Sequence, residues 1–91
     1  MNDPKRVQRL DLNLLKVFHR LYVEQNMTRT AHALHLTPSA VSHAVKRLRG
    51  ALGDPLFHRS QNKMVPTAAC QRIAPLIINN LTCLQQLLRA Q

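Results

Sequence analysis

Apolar residues recur at three- and four-residue steps in four separate stretches of the chain, the period of a helix that buries one face. In the first stretch, Leu12 to Gln25, the apolar set is Leu14, Leu15, Phe18, Leu21 and Tyr22, with Lys16, His19, Arg20 and Glu24 turned outward. Asp11 precedes it as an N-cap. A second, shorter stretch runs to Leu34 with Met27, Ala31 and Leu34 on one side, and Thr28 is the expected cap. After His35, Leu36 and Thr37, the third stretch opens on Thr37-Pro38, a hydroxyl cap followed by a residue that needs no donor. Its core stripe is Val41, Val45, Leu48 and Leu52, edged by Ala44, and Gly53 fits the left-handed position past a helix end. A short turn between two short helices predicts a helix-turn-helix.

Beyond Asp54-Pro55, which stops the third helix, residues 56–59 and 64–66 read as two short strands about a polar turn of Ser60, Gln61, Asn62 and Lys63. Asn62 suits positive φ there. Thr67 then caps a last helix to about Ala90. One stripe of it reads Cys70, Ala74, Ile77, Leu81, Leu84, Leu88, and an adjoining one Ala69, Ile73, Leu76, Asn80, Cys83, Leu87. That apolar face is wider than a small domain needs for its own core, which points to a second chain. Pro75 removes one helical hydrogen bond and predicts a kink or a split near Gln71.

The outward face of the third helix carries Ser39, Ser42, His43, Lys46 and Arg47 with no carboxylate among them. Either an ordinary solvated face or a surface for a polyanion fits this helix taken alone. Charge separates the two. Across 91 residues, 13 Lys and Arg oppose 4 Asp and Glu, a formal net charge of +9. Between Thr28 and Lys63 only Asp54 is acidic, and no acid follows it. Such a balance favours nucleic acid first and an anionic membrane surface second. With 45% apolar residues and two glycines, the composition suits a folded, mainly helical chain. No signal peptide or long apolar run is read, so the expected location is cytoplasmic, without a membrane partner.

Other chemistry finds little to stand on. Cys70 and Cys83 fall in one predicted helix, about 20 Å apart at 1.5 Å per residue, too far to pair. Of five histidines, His32 and His35 have helical spacing but no third ligand at a matching interval, so no metal and no cofactor is expected. Scattered carboxylates and no nucleophile beside a base exclude an enzyme reading. A single-strand or RNA binder needs exposed aromatic platforms, whereas Phe18, Tyr22 and Phe57 all sit in apolar patterns. A protein-interaction module built on the last helix is the other alternative.

The segments DLNLLKVF at 11–18, MTRTAHALHLTPSAVSHAVKRLRGALGDPLF at 27–57, Arg59 and PTAA at 66–69 resemble the N-terminal DNA-binding region of a LysR-type transcriptional regulator. The resemblance implies a mainly α fold: a winged helix-turn-helix over residues 1–66 with a small β-hairpin wing, then a long linker helix over 67–91 for dimerisation. It implies sequence-specific binding of double-stranded DNA at an inverted repeat by a homodimer whose linker helices pair antiparallel. An effector-binding domain, the place for any small-molecule effector, is absent from this stretch. Transferred position by position, DNA contacts fall on Thr28, Thr37, Pro38, Ser39, Ser42, His43, Lys46 and Arg59, and the basic residues Arg29, Arg47 and Lys63 of the same stretch join them as expected DNA contacts. The dimer seam, read from the apolar stripes of the last helix, falls on Ile73, Ile77, Leu81, Leu84 and Leu88. Many members carry Gln-Pro in place of Pro38-Ser39 and Arg in place of His43, so base preference does not transfer, and Arg-Gly in place of Asn62-Lys63, so the wing turn's geometry does not transfer either.

Overall fold

The first helix, α1 (Leu12–Glu24), starts where the Asp11 carboxylate accepts the Leu14 N–H at 2.8 Å and stops at Gln25, whose φ of 55° is left-handed. The computed structural model describes residues 11–90, so the basic lead-in expected over residues 1–10 lies outside the described part. After α1 come α2 (Met27–Leu34), α3 (Pro38–Leu52), the strands β1 (Phe57–Ser60) and β2 (Lys63–Pro66), and α4 (Ala68–Arg89). This is the mainly helical winged fold that the periodicity and the resemblance predict.

Local chemistry sets each boundary. The cap of α2 is Asn26, not Thr28: its extended backbone aims the side-chain oxygen at the Arg29 N–H, 2.8 Å away. Because Gln25 reverses the chain in a single left-handed residue, the helix begins earlier than Thr28 would allow, and Thr28 sits exposed in its first turn. Thr30 is buried and donates its hydroxyl to the Asn26 carbonyl at 2.8 Å, which keeps that oxygen partnered. His35 takes φ 57° to end α2, and Thr37 then accepts the Ala40 N–H at 3.0 Å to start α3. Gly53 ends α3 at φ 67°, as its position past the apolar stripe predicts.

The wing is shifted from its sequence expectation. Its strands pair antiparallel from Phe57↔Pro66 to Ser60↔Lys63, which leaves a two-residue turn, Gln61-Asn62. Both turn residues have positive φ, 49° and 67°, the twist that tight hairpins prefer. Leu56 belongs to no strand: at φ 66° it is a branched residue in the left-handed region, at a cost of about 1–2 kcal/mol. Complete burial of its side chain offsets that cost. Its N–H donates to Asp54 Oδ2 at 2.7 Å, and its carbonyl accepts the Thr67 N–H at 2.8 Å.

The core lies where α1, α3, the wing and the first half of α4 converge. Phe18 is its centre, with ring centroids 6.1 Å from Tyr22 and 5.9 Å from Phe57. Val17 is buried beside it, a core residue that the stripe of Leu14, Leu15, Phe18, Leu21 and Tyr22 omits, while Leu15 and Tyr22 are only half-buried. On α3, Val41, Ala44, Val45, Leu48 and Ala51 are buried.

The last helix departs from expectation in two ways. It is continuous over 22 residues and is not split at Pro75. Proline there removes one donor, and the buried residues Ala74, Ile77 and Leu81 hold the turns on either side. Second, Ile77 and Leu81, assigned to the dimer seam, are 7% and 4% exposed within this single chain, and Ile73 packs against the core. They fill the space against α1. From Thr82 onward no described residue is buried, and Leu84, Leu87 and Leu88 stand exposed, as does Leu76, about three turns before Leu87 on the same side. Cys70 faces the core, where burial, reinforced by the Asp54 carboxylate, pushes its thiol up to about 11. It is therefore a protonated apolar filler at neutral pH, and Cys83 is exposed and free.

Candidate nucleic-acid interface

One open cleft runs between the start of α2, the start of α3 and the wing, lined by Thr28, Pro38, Ser39, Ser42, Arg59 and Asn62 with Asn26, Met27 and Met64. Five of the residues assigned to DNA from sequence thus meet on one surface: Thr28, Pro38, Ser39, Ser42 and Arg59. Strand alternation explains Arg59. It stands two residues after Phe57 and opposite Met64, both buried, so it shares the sheet face that looks toward the helices. Past the core that face opens onto Ser42.

Arg29 and Lys63 line a neighbouring cleft with Gln61 and Asn62, between the start of α2 and the wing tip. Glu24 also borders it, but its carboxylate is 3.4 Å from Arg20 on the next turn of α1. Among the described residues, no carboxylate lines the first cleft. His43 and Lys46 are exposed on α3 and, at 100° per residue, continue the line of Ser39 down its outward face. Thr37 is exposed, with its hydroxyl oxygen engaged as the α3 cap. Arg47 lies on the other flank, its guanidinium 4.0 Å from the half-exposed Asp11 carboxylate, so it faces α1 rather than the wing.

Sequence reasoning missed Asn26, Met27, Asn62 and Met64 as cleft residues. Asn26 carried a partial signal, because Asn is a favoured helix cap, though it also suits a helix end. The others depend on how the wing folds back. Among the described residues there is no group of three His, Cys, Asp or Glu that could hold a metal ion, and no helix is long and apolar enough to cross a membrane.

The family model described as "Bacterial regulatory helix-turn-helix protein, lysR family" matches residues 12–71, from the first residue of α1 to the first turn of α4. The chain belongs to the LysR family. Its relatives include the transcriptional activator NahR of Pseudomonas putida, 44% identical over 80 residues that make up 88% of this chain and 27% of NahR. Among solved structures, the probable transcriptional regulator PA0477 from Pseudomonas aeruginosa superposes with a TM-score of 0.83 at 41% identity, over 90% of this chain and 28% of that one. The BenM DNA-binding domain, solved with benA site 1 DNA, has a TM-score of 0.83 at 22% identity, over 89% of this chain and 91% of that one, a likeness of fold. This LysR-family chain spans about a quarter of the length of the curated relatives that it matches.

Proposed function

We propose that this LysR-family domain binds double-stranded DNA sequence-specifically as a homodimer, in the control of transcription in the bacterial cytoplasm. The observation that carries the reading is the open cleft in which Thr28, Ser39, Ser42 and Arg59 converge with no carboxylate among its described lining residues, beside the basic outward face of α3. In this reading α3 enters the major groove, where Ser39, Ser42, His43 and Lys46 reach base edges. Thr28, Arg29, Thr37 and Lys63 meet phosphates along the flanking backbone. Arg59 and the Gln61-Asn62 turn reach toward the adjoining minor groove. BenM, which has the same fold, is seen in a complex with DNA. No catalytic role and no cofactor is assigned, and any small-molecule effector acts on a part of the regulator that these residues do not include.

The dimer is drawn from the overhang of α4. Leu84, Leu87 and Leu88 are exposed on the last two turns of a helix whose first half is anchored in the core, and Leu76 extends the same side. The seam therefore shifts outward from Ile73, Ile77 and Leu81 to Leu76, Leu84, Leu87 and Leu88. Residues 67–91 serve as both a core helix and a linker, and residues 1–66 as the reading head.

Fluorescence anisotropy against the best duplex enriched from a random pool, and against unselected duplex, tests base reading. Ser42→Ala and His43→Ala are each expected to cost about 1–3 kcal/mol on the enriched duplex and little on the unselected one. Equal losses on both would reduce the two residues to backbone contacts.

A further inference from the structure

Arg49 sits on α3 one turn past Lys46, outside the set of residues assigned to DNA, and its charge is not simply displayed to solvent. Its Nε donates to the Pro55 carbonyl at 2.8 Å and its Nη2 to the Phe57 carbonyl at 3.3 Å. These two carbonyls flank Leu56, the left-handed residue through which the chain leaves the α3 turn and enters β1. A planar guanidinium can span two acceptors with a fixed geometry, which an ammonium on a flexible stem cannot.

We infer that Arg49 is a positioning residue for DNA recognition, fixing the wing, and with it Arg59, at a set distance from the recognition helix α3. The inference rests on the DNA reading proposed above. A two-stranded hairpin of four-residue strands is marginal on its own, so its placement depends on what holds it. The Met64 N–H, donating to the Gln25 carbonyl at 2.9 Å, ties β2 to the end of α1. Arg49 ties the start of β1 to α3. Arg59 lies two residues beyond the Phe57 carbonyl that Arg49 holds, and it faces Ser42 across the cleft. Releasing the Arg49 fork leaves the Gln25 tie and the buried Leu56 and Phe57 in place but loosens the tilt of the exposed end of β1 about that anchor, so Arg59 no longer meets DNA in register with Ser39 and Ser42.

Arg49→Lys keeps the charge and removes the fork, which separates positioning from simple electrostatic attraction. In the free protein, amides of residues 57–66 are expected to exchange about tenfold faster in this variant, with α3 amides unchanged as the control for folding. On the duplex enriched from a random pool, Arg59→Ala is expected to weaken binding roughly tenfold in the native background and less than about threefold beside Arg49→Lys. Unchanged wing exchange, or an Arg59→Ala loss that is equal in both backgrounds, would overturn the inference. The DNA reading fails by a different result: an unmutated chain that does not distinguish enriched from unselected duplex.

Discussion

Leu84→Asp combined with Leu88→Asp is expected to give a folded monomer whose affinity for an inverted-repeat duplex falls by about two to four orders of magnitude, with little change on a single half-site. Both leucines are exposed in the protomer, 42% and 68%, so their replacement removes nothing from its core. In a dimer seam, the same carboxylates are buried without partners, and an unpaired buried charge costs far more than lost methylenes. Once the seam opens, the second half-site is no longer bound at high effective concentration, and avidity is lost while each reading head stays intact. Leu81→Asp is expected to behave differently. At 4% exposure within the chain, its charge enters the core and unfolds the domain. Analytical ultracentrifugation with anisotropy on whole and half sites separates these outcomes. A native chain that is monomeric at tens of micromolar and does not self-associate on DNA would contradict the dimer.

Phe18→Ala is expected to cost about 3–5 kcal/mol of stability, set by the loss of a fully buried ring and the cavity that it leaves. Small domains hold only about 5–15 kcal/mol in total, so the loss is a large share of the stability. The damage should also reach the reading head. Phe57, the first residue of β1, packs its ring 5.9 Å from that of Phe18, and its removal loosens the strand that carries Arg59. Urea titration followed by circular dichroism measures the loss; a change under about 1 kcal/mol would mean that the core closes around the gap.

These expectations draw on sequence and structure unequally, for physical reasons. The helix starts at Asp11, Thr37 and Thr67 and the stop at Gly53 were legible because a cap acts within three or four residues of itself. Asn26 was ambiguous on the same scale: Asn ends one helix as readily as it starts the next, and only the left-handed Gln25 decides between them. The wing was placed with strand ends off by one residue, since the turn tightens to Gln61 and Asn62, both at positive φ, and lets Ser60 and Lys63 join the pairing. On α4, the stripe buried against α1 and the exposed stripe of Leu76, Leu84, Leu87 and Leu88 share one period. Periodicity found both and had no means to divide them, so Ile77 and Leu81 were read as seam when α1 covers them. Arg49 was invisible because its partners are backbone carbonyls, which every residue carries.

Selection of bound sites from random duplexes by the unmutated chain tests sequence-specific recognition by a symmetric pair in one measurement. The expected result is an enriched inverted repeat whose half-sites lie about one helical turn apart or a multiple of it, the spacing that two recognition helices joined by a two-fold seam impose. Recovery of no common sequence, or of one without two-fold symmetry, would contradict it.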